Sequence, residues 1–171
     1  VFDGIVDSNN TISVHTLKEI GLEYAFNFAS DKFRIDGLVR EQTTESGRKI
    51  SDIGYAPLGL GALTFGVSVE DMANAYATFP NDGEYREART YTKVYDSDGN
   101  LVLDNTQESR TIYGRKTANY MHYCLSDAAN FGTGIEAKIN GQYIYGKTGT
   151  TSNSKDRWFC GYTGYYTAAV W

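Results

Sequence analysis

Cysteine is scarce: Cys124 and Cys160 are the only two in 171 residues. They are too few and too far apart for a zinc site or a disulfide framework, so we expect two small buried hydrophobes. Histidine is equally sparse. His15 and His122 each lack a second His or an acidic residue at metal-ligand spacing, which makes them ordinary surface or packing residues and argues against a metal enzyme. No run approaches the roughly 20 apolar residues that a membrane-crossing helix needs. Val1 opens without the charged and apolar regions of a signal peptide, so no anchor or export signal is expected here. Dense basic clusters are missing too. With 16 Lys and Arg against 21 Asp and Glu the net charge is -5, and nucleic acid is an unsuitable partner. What remains, 41% apolar and 22% charged residues, is the balance of one soluble globular domain with a sizeable core.

Along the chain, Asp7 and Ser8 lead into an apolar pattern at Ile12, Val14 and Leu17, then Leu22, Ala25 and Phe28, which suits helical segments interrupted near Gly21. From Arg34 to Tyr55 the sequence is polar and aperiodic, and Glu41 to Lys49 reads as an exposed loop. Ser68 with Asp71 three residues later forms a capping box for a helix carrying Met72, Ala75, Tyr76 and Phe79, stopped by Pro80 and Gly83. Asp96 to Asn100 is the turn of a hairpin between Tyr91–Tyr95 and Leu101–Leu103. Ala118, Met121, Leu125 and Ala128 mark a further helix, closed by Gly132 and Gly134. Three aromatic and β-branched strands follow, at Tyr143–Thr148, Arg157–Tyr162 and Thr167–Trp171, and their short links favour antiparallel pairing.

The sharpest segment is Gly146-Lys147-Thr148-Gly149-Thr150-Thr151. Counted from Gly141 it satisfies the nucleotide-binding pattern G-x-x-x-x-G-K-[ST] letter for letter. A phosphate-cradling loop, however, needs small residues and a helix that begins at the Lys. Tyr143, Ile144 and Tyr145 are strand formers, and Thr148 to Asn153 is a poor helix start. The competing reading is the Lys-Thr-Gly element of serine acyl-transfer enzymes that recognise penicillin. It belongs on an edge strand, where an extended peptide can pair with the backbone and Lys147 supplies positive potential.

The surroundings decide between them. The run KTGTTSNSKDRWFCGYTGYYTAAVW resembles the end of class A penicillin-binding protein transpeptidase domains. LGLGALTFGVSVEDMANAYATFPNDG resembles that family's helix behind the active site, and FGTG resembles its Gly-Thr-Gly turn. Ser8-Asn9-Asn10, followed by ISVHTLKEIGL, resembles its Ser-x-Asn motif, although an isolated S-N-N triplet is more commonly explained by Ser8 or Asn10 capping a helix. The resemblance implies an α/β (α+β) fold: a five-stranded antiparallel sheet flanked by helices, of which residues 1–171 supply three strands of a single domain. It implies no metal and no organic cofactor.

It also implies D,D-transpeptidation at the outer face of the bacterial cytoplasmic membrane. There a serine attacks the D-Ala-D-Ala bond of a peptidoglycan stem peptide, and β-lactam antibiotics are the mimics that trap it. Ser8 would relay a proton between the catalytic Lys, Lys147 and the leaving amine, and Asn10 would bind the substrate's backbone amide. Thr148 and Thr150 would bind the substrate's terminal carboxylate, Gly149 would let it approach the backbone closely, and the Thr150 N–H would serve the oxyanion hole.

The family's Ser-x-x-Lys, which supplies the nucleophile, precedes Ser-x-Asn in the chain, and nothing before Ser8 fits. Two later matches, Ser46-Gly47-Arg48-Lys49 and Ser152-Asn153-Ser154-Lys155, stand in the wrong order and in loop-like sequence, without the rigid helix that would place and desolvate the Lys. The expectation is therefore that the first strands, the nucleophile helix and any glycosyltransferase domain belong to an upstream segment of the same protein. Two rivals remain: a D,D-carboxypeptidase or β-lactamase on the same scaffold, and a non-catalytic β-lactam or muropeptide sensor.

Overall fold

The computed structural model describes residues 1–171, with Asn153 described by its backbone alone. A short helix α1 (Phe2–Val6) turns sharply into α2 (Asn10–Ile20). The turn is tight because Gly4 is buried where a side chain would run into Ile12, whose Cβ would lie 2.8 Å from a Cβ on Gly4. Asn9 caps α2, its side-chain oxygen accepting from the N–H groups of Thr11 at 3.0 Å and Ile12 at 3.2 Å. Gly21, with φ of 87°, separates α2 from α3 (Leu22–Asn27), the interruption expected from the sequence. α3 then runs into a π-helical turn over Phe28–Lys32.

The stretch expected to be loop holds a small hairpin, β1 (Gln42–Thr43) with β2 (Lys49–Ile50), and is followed by helix α4 (Tyr55–Leu60), which the sequence reading did not separate. Six residues containing Pro57 and Gly59 carry too little periodicity to declare a helix. Helix α5 (Val69–Ala77) starts at the capping box: Ser68 Oγ accepts from the Asp71 N–H at 2.9 Å, and the Asp71 carboxylate accepts from the Ser68 N–H at 3.4 Å.

Two ribbons follow. Strand β3 (Glu84–Arg86) pairs antiparallel with β6 (Ser109–Thr111), and between them lies the expected hairpin of β4 (Lys93–Tyr95) and β5 (Leu101–Asp104). Its turn is held by the Asp96 carboxylate, which accepts from the N–H groups of Asp98 at 2.9 Å and Asn100 at 2.8 Å, with Gly99 at φ 84°. Helix α6 (Arg115–Asn130) buries Ala118, Cys124, Leu125, Ala128 and Ala129 along one stripe.

The chain ends in a three-stranded antiparallel sheet, β7 (Tyr145–Thr150), β8 (Arg157–Tyr162) and β9 (Thr167–Val170), in that spatial order. β7 begins and ends two residues later than expected. Tyr143 is exposed just after a turn in which Gly141 has a φ of 78°, while Gly149 and Thr150 stay in register with Trp158 and Arg157. Helix α6 packs against β7, and α5 against β8 and β9. Close approach within the sheet depends on two facing glycines, Gly146 and Gly161, beside the Phe159 ring: a Cβ on Gly146 would lie 2.9 Å from the Cys160 carbonyl oxygen. Both cysteines are buried and free, as expected.

Candidate active site on the edge strand

Lys147 stands in the middle of β7, paired with Cys160 across the sheet. It therefore does not sit at a helix N-terminus, which removes the phosphate-loop reading despite the matching letters. No strand pairs along the other side of β7 among the described residues. Backbone groups alternate along a strand, and the Thr151 N–H donates inward to the Asp156 carbonyl at 3.1 Å. The Thr150 N–H therefore turns toward the open edge. The Thr148 carbonyl faces the same way, and there it accepts from Lys147 Nζ at 3.0 Å.

The Lys147 ammonium also donates to Thr133 Oγ1 at 3.0 Å and lies 3.5 Å from Thr148 Oγ1, which itself donates to Thr133 Oγ1 at 2.6 Å. Burial holds the Lys147 ammonium below its ordinary value, yet its hydrogen bonds satisfy it. One turn beyond, Asp156 closes the β7–β8 connection, accepting from Thr151 Oγ1 at 2.9 Å and from Trp171 Nε1 at 3.0 Å. Those two hydrogen bonds, Trp171 first, keep its carboxyl below the usual range.

Ser8 lies in the α1–α2 turn and Asn10 is the first residue of α2, both exposed, and neither caps α2; Asn9 between them does. Ser8 adopts a φ of 56°, in the left-handed region that few non-glycine residues occupy. Its N–H donates to the Ile5 carbonyl at 3.3 Å, and the Asn9 N–H donates to the Gly4 carbonyl at 2.8 Å, which fixes the turn. The link from this turn to Lys147 runs through Gly132: a Cβ there would sit 2.5 Å from the Val6 carbonyl oxygen, and the next residue is Thr133. The fold thus brings the Ser8 turn and Lys147 to the two sides of one short bracket. No hydrogen bond joins the Ser8 and Lys147 side chains among the described residues.

A cleft of about 910 Å³ opens beside β7. Leu58, Leu63, Met72 and Tyr76 give it an apolar wall, and Lys147 and Trp158 also line it. Burial pushes the Tyr76 hydroxyl well above its ordinary value and the Cys160 thiol up to about 11, so both are neutral packing groups. A smaller recess of about 340 Å³ between the two ribbons carries Arg86 and Lys93, each already paired, with Glu84 and Asp104. The two later Ser-x-x-Lys matches fail structurally. Ser46 lies in the β1–β2 turn with Lys49 paired to Glu41 at 3.2 Å, and Ser152–Ser154 form a 3₁₀ turn in which the Asn153 side chain lies outside the described residues.

Sequence reasoning did not single out two residues that hold this region together. Asp52, fully buried, accepts from the Val39 N–H, the Thr64 N–H and the Thr64 hydroxyl. Thr133 was visible only as the centre of FGTG, with no role attached.

The chain matches the penicillin binding protein transpeptidase domain family over residues 1–171. It is 35% identical over 172 residues to penicillin-binding protein 1A of Clostridium botulinum, covering 100% of this chain and 20% of that protein. It is 32% identical over 166 residues to penicillin-binding protein 4 of Bacillus subtilis, covering 96% of this chain and 24% of that one. The chain thus spans about a fifth of the length of the curated relatives it matches. Among solved structures, it superposes on penicillin-binding protein 1A from Haemophilus influenzae with a TM-score of 0.76 at 18% identity, covering 98% of this chain and 29% of that one. The D,D-transpeptidase domain of a peptidoglycan glycosyltransferase from Eggerthella lenta gives 0.70 at 17% identity, with 98% and 46% covered.

Proposed function

This chain belongs to the penicillin-binding protein transpeptidase family, and from that membership we propose that it is the substrate-binding part of a serine D,D-transpeptidase that cross-links peptidoglycan stem peptides. The nucleophile and its general base lie outside residues 1–171, on a segment that packs into the cleft beside β7. The supporting observation is the open edge of β7, where the Thr150 N–H turns outward, the Lys147 ammonium lies beside it, and both border the cleft.

In this reading the extended D-Ala-D-Ala end of a stem peptide lies along β7 as a further strand, and Gly149 allows the backbone to come close. Thr148 and Thr150 hold its carboxylate, and Lys147 adds positive potential. Asn10 binds the backbone amide, and Ser8 passes the proton to the leaving D-Ala amine as the serine acylates. The Thr150 N–H, with the N–H of the serine itself, stabilises the tetrahedral oxyanion. An amine of a neighbouring stem then attacks the ester, releasing the serine and forming the cross-link. The work takes place on the outer face of the cytoplasmic membrane, where the substrate is. β-Lactams enter the same site in this reading; in support, two proteins of similar fold from Mycobacterium tuberculosis, penicillin-binding proteins A and 3, have been solved as an imipenem acyl-enzyme complex and an ampicillin complex.

Intact-protein mass spectrometry before and after incubation with penicillin tests the reading. One adduct on a polypeptide containing the upstream segment, released slowly, is the expected result. An adduct on residues 1–171 themselves would overturn the placement of the nucleophile, and rapid release with hydrolysed penicillin would favour a β-lactamase.

A further inference from the structure

Thr133 sits where three parts of the fold meet. Its neighbours Gly132 and Gly134 are both packed too tightly to carry a side chain freely: a Cβ on Gly132 would lie 2.5 Å from the Val6 carbonyl oxygen, and one on Gly134 would lie 3.1 Å from Ala129 Cα. The turn after α6 is therefore clamped between the end of α1, two residues before Ser8, and the end of α6. Its side chain reaches across to β7. Thr133 Oγ1 accepts from Lys147 Nζ at 3.0 Å and from Thr148 Oγ1 at 2.6 Å, so one oxygen takes hydrogen bonds from two adjacent residues of the Lys-Thr-Gly element.

A hydroxyl has two acceptor positions and one donor. Both acceptor positions of Thr133 are filled here, and they fix the ammonium and the Thr148 hydroxyl relative to each other. The remaining contacts of the ammonium, the Thr148 carbonyl at 3.0 Å and Thr148 Oγ1 at 3.5 Å, belong to β7 itself. Thr133 is thus its one partner from another element among the described residues. Without that oxygen, Lys147 has only its own strand to hold it, and its long side chain gains rotamers that point away from the open edge.

We propose that Thr133 is a positioning residue for the reaction: it ties Lys147 and Thr148 to the turn that lies against the Ser8 segment, so that the two halves of the site keep one spacing. This rests on the function proposed above. The residue acts through Lys147 and Thr148 and makes no contact with the reacting bond.

The test uses the intact protein, with its nucleophile segment, and the rate constant of acylation by penicillin separated from the binding step. Thr133→Val keeps the side-chain shape and removes the oxygen. It should lower the acylation rate constant roughly 10- to 100-fold, the loss expected when a hydrogen bond to a charged group is removed. Binding before acylation and the thermal midpoint should change little. Thr133→Ser should restore most of the rate. In a Lys147→Ala background, adding Thr133→Val should cost nothing more, because the two act as one unit. A Thr133→Val protein that acylates at the parental rate, a Thr133→Ser protein as slow as the Val variant, or an independent further loss in the Lys147→Ala background would each overturn the proposal. If Lys147→Ala alone acylates normally, the failure lies in the proposed function, and the positioning role falls with it.

Discussion

Asp52→Ala should loosen the wall of the cleft without touching the edge strand. The Asp52 carboxylate has no exposed surface and accepts three hydrogen bonds: from the Val39 N–H at 2.8 Å, the Thr64 N–H at 2.8 Å and the Thr64 hydroxyl at 2.7 Å. Its own N–H donates to the Val39 carbonyl at 2.7 Å, so the segments at Val39 and Asp52 are stapled from both sides. A hydrogen bond to a charged acceptor contributes about 1.5–3 kcal/mol net. Three of them do not simply add, and Thr64 is exposed, so its two donors find water once the carboxylate is gone. The Val39 N–H is half-buried and is left with a poorer partner. Together these give a loss of about 3 kcal/mol for Asp52→Ala. Asp52→Asn should lose less, about 1–2 kcal/mol, because its amide keeps one oxygen and turns a mismatched NH₂ toward only one side. Urea denaturation of the intact protein measures both, and the midpoint should fall while the slope is unchanged. Leu38 and Leu63, each next to a stapled residue, line the cleft, so proteolysis near them should quicken in parallel. An Asp52→Ala protein within about 0.5 kcal/mol of the parent, the range of ordinary surface substitutions, would refute the claim that this carboxylate organises the wall.

Two further predictions follow from the sheet and from α6. Gly146→Ala places a methyl group against the Cys160 carbonyl and the Phe159 ring, and overpacking of this kind costs about 1–3 kcal/mol; Phe159→Leu in the same chain should recover part of it, and full additivity of the two changes in a denaturation cycle would count against the contact. His122 is held below its ordinary value, chiefly by burial and only partly offset by Asp82, while its Nδ1 lies 2.9 Å from the Tyr162 hydroxyl. The folded state therefore disfavours the charged imidazole. This part of the stability is fully present above the unfolded value of about 6.5 and is lost as the pH falls below it. Melting followed from pH 7.5 to 5 should show a steeper acid-side decline for the parent than for His122→Gln, and equal slopes would refute it.

Much of this fold could be read from local patterns. The capping box at Ser68, the Asp96–Asn100 turn and the three final strands are each set by residues a few positions apart, and all are present, with only β7 displaced by two residues from its expected bounds. The Ser8-Asn9-Asn10 triplet shows how far that reading goes. The sequence offered Ser8 or Asn10 as caps, while the structure uses Asn9, because the packing of Gly4 on Ile12 decides which of three similar residues faces the first N–H groups. Asp52 and Thr133 were illegible for a different reason. Their partners lie 12 to 15 residues away in the chain and across a fold that must form first, and no spacing rule marks such pairs.

The nucleotide-binding pattern makes the same point from the other side. Gly141 to Thr148 satisfies it in every letter, yet the chemistry it describes needs the Lys at the start of a helix, with N–H groups converging on one point. In β7 the N–H groups diverge, alternate residues facing β8 and the open edge. A strand cannot cradle a compact anion in its backbone, but it can present evenly spaced donors and acceptors to another extended chain. The Lys-Thr-Gly-Thr segment therefore suits a peptide ligand because of its secondary structure, and the ammonium beside it suits a ligand that ends in a carboxylate. Both requirements are met only when the alternation places the Thr150 N–H and the Thr148 carbonyl outward. A one-residue slip of β7 against β8 would turn those groups inward and bury Lys147's neighbours on the wrong face. The Gly146–Gly161 pair beneath Phe159 resists that slip: shifted by one residue, the ring would lie against Lys147 or Tyr145 in place of glycine. The register that the glycines impose is thus what places the outward-facing groups of the site.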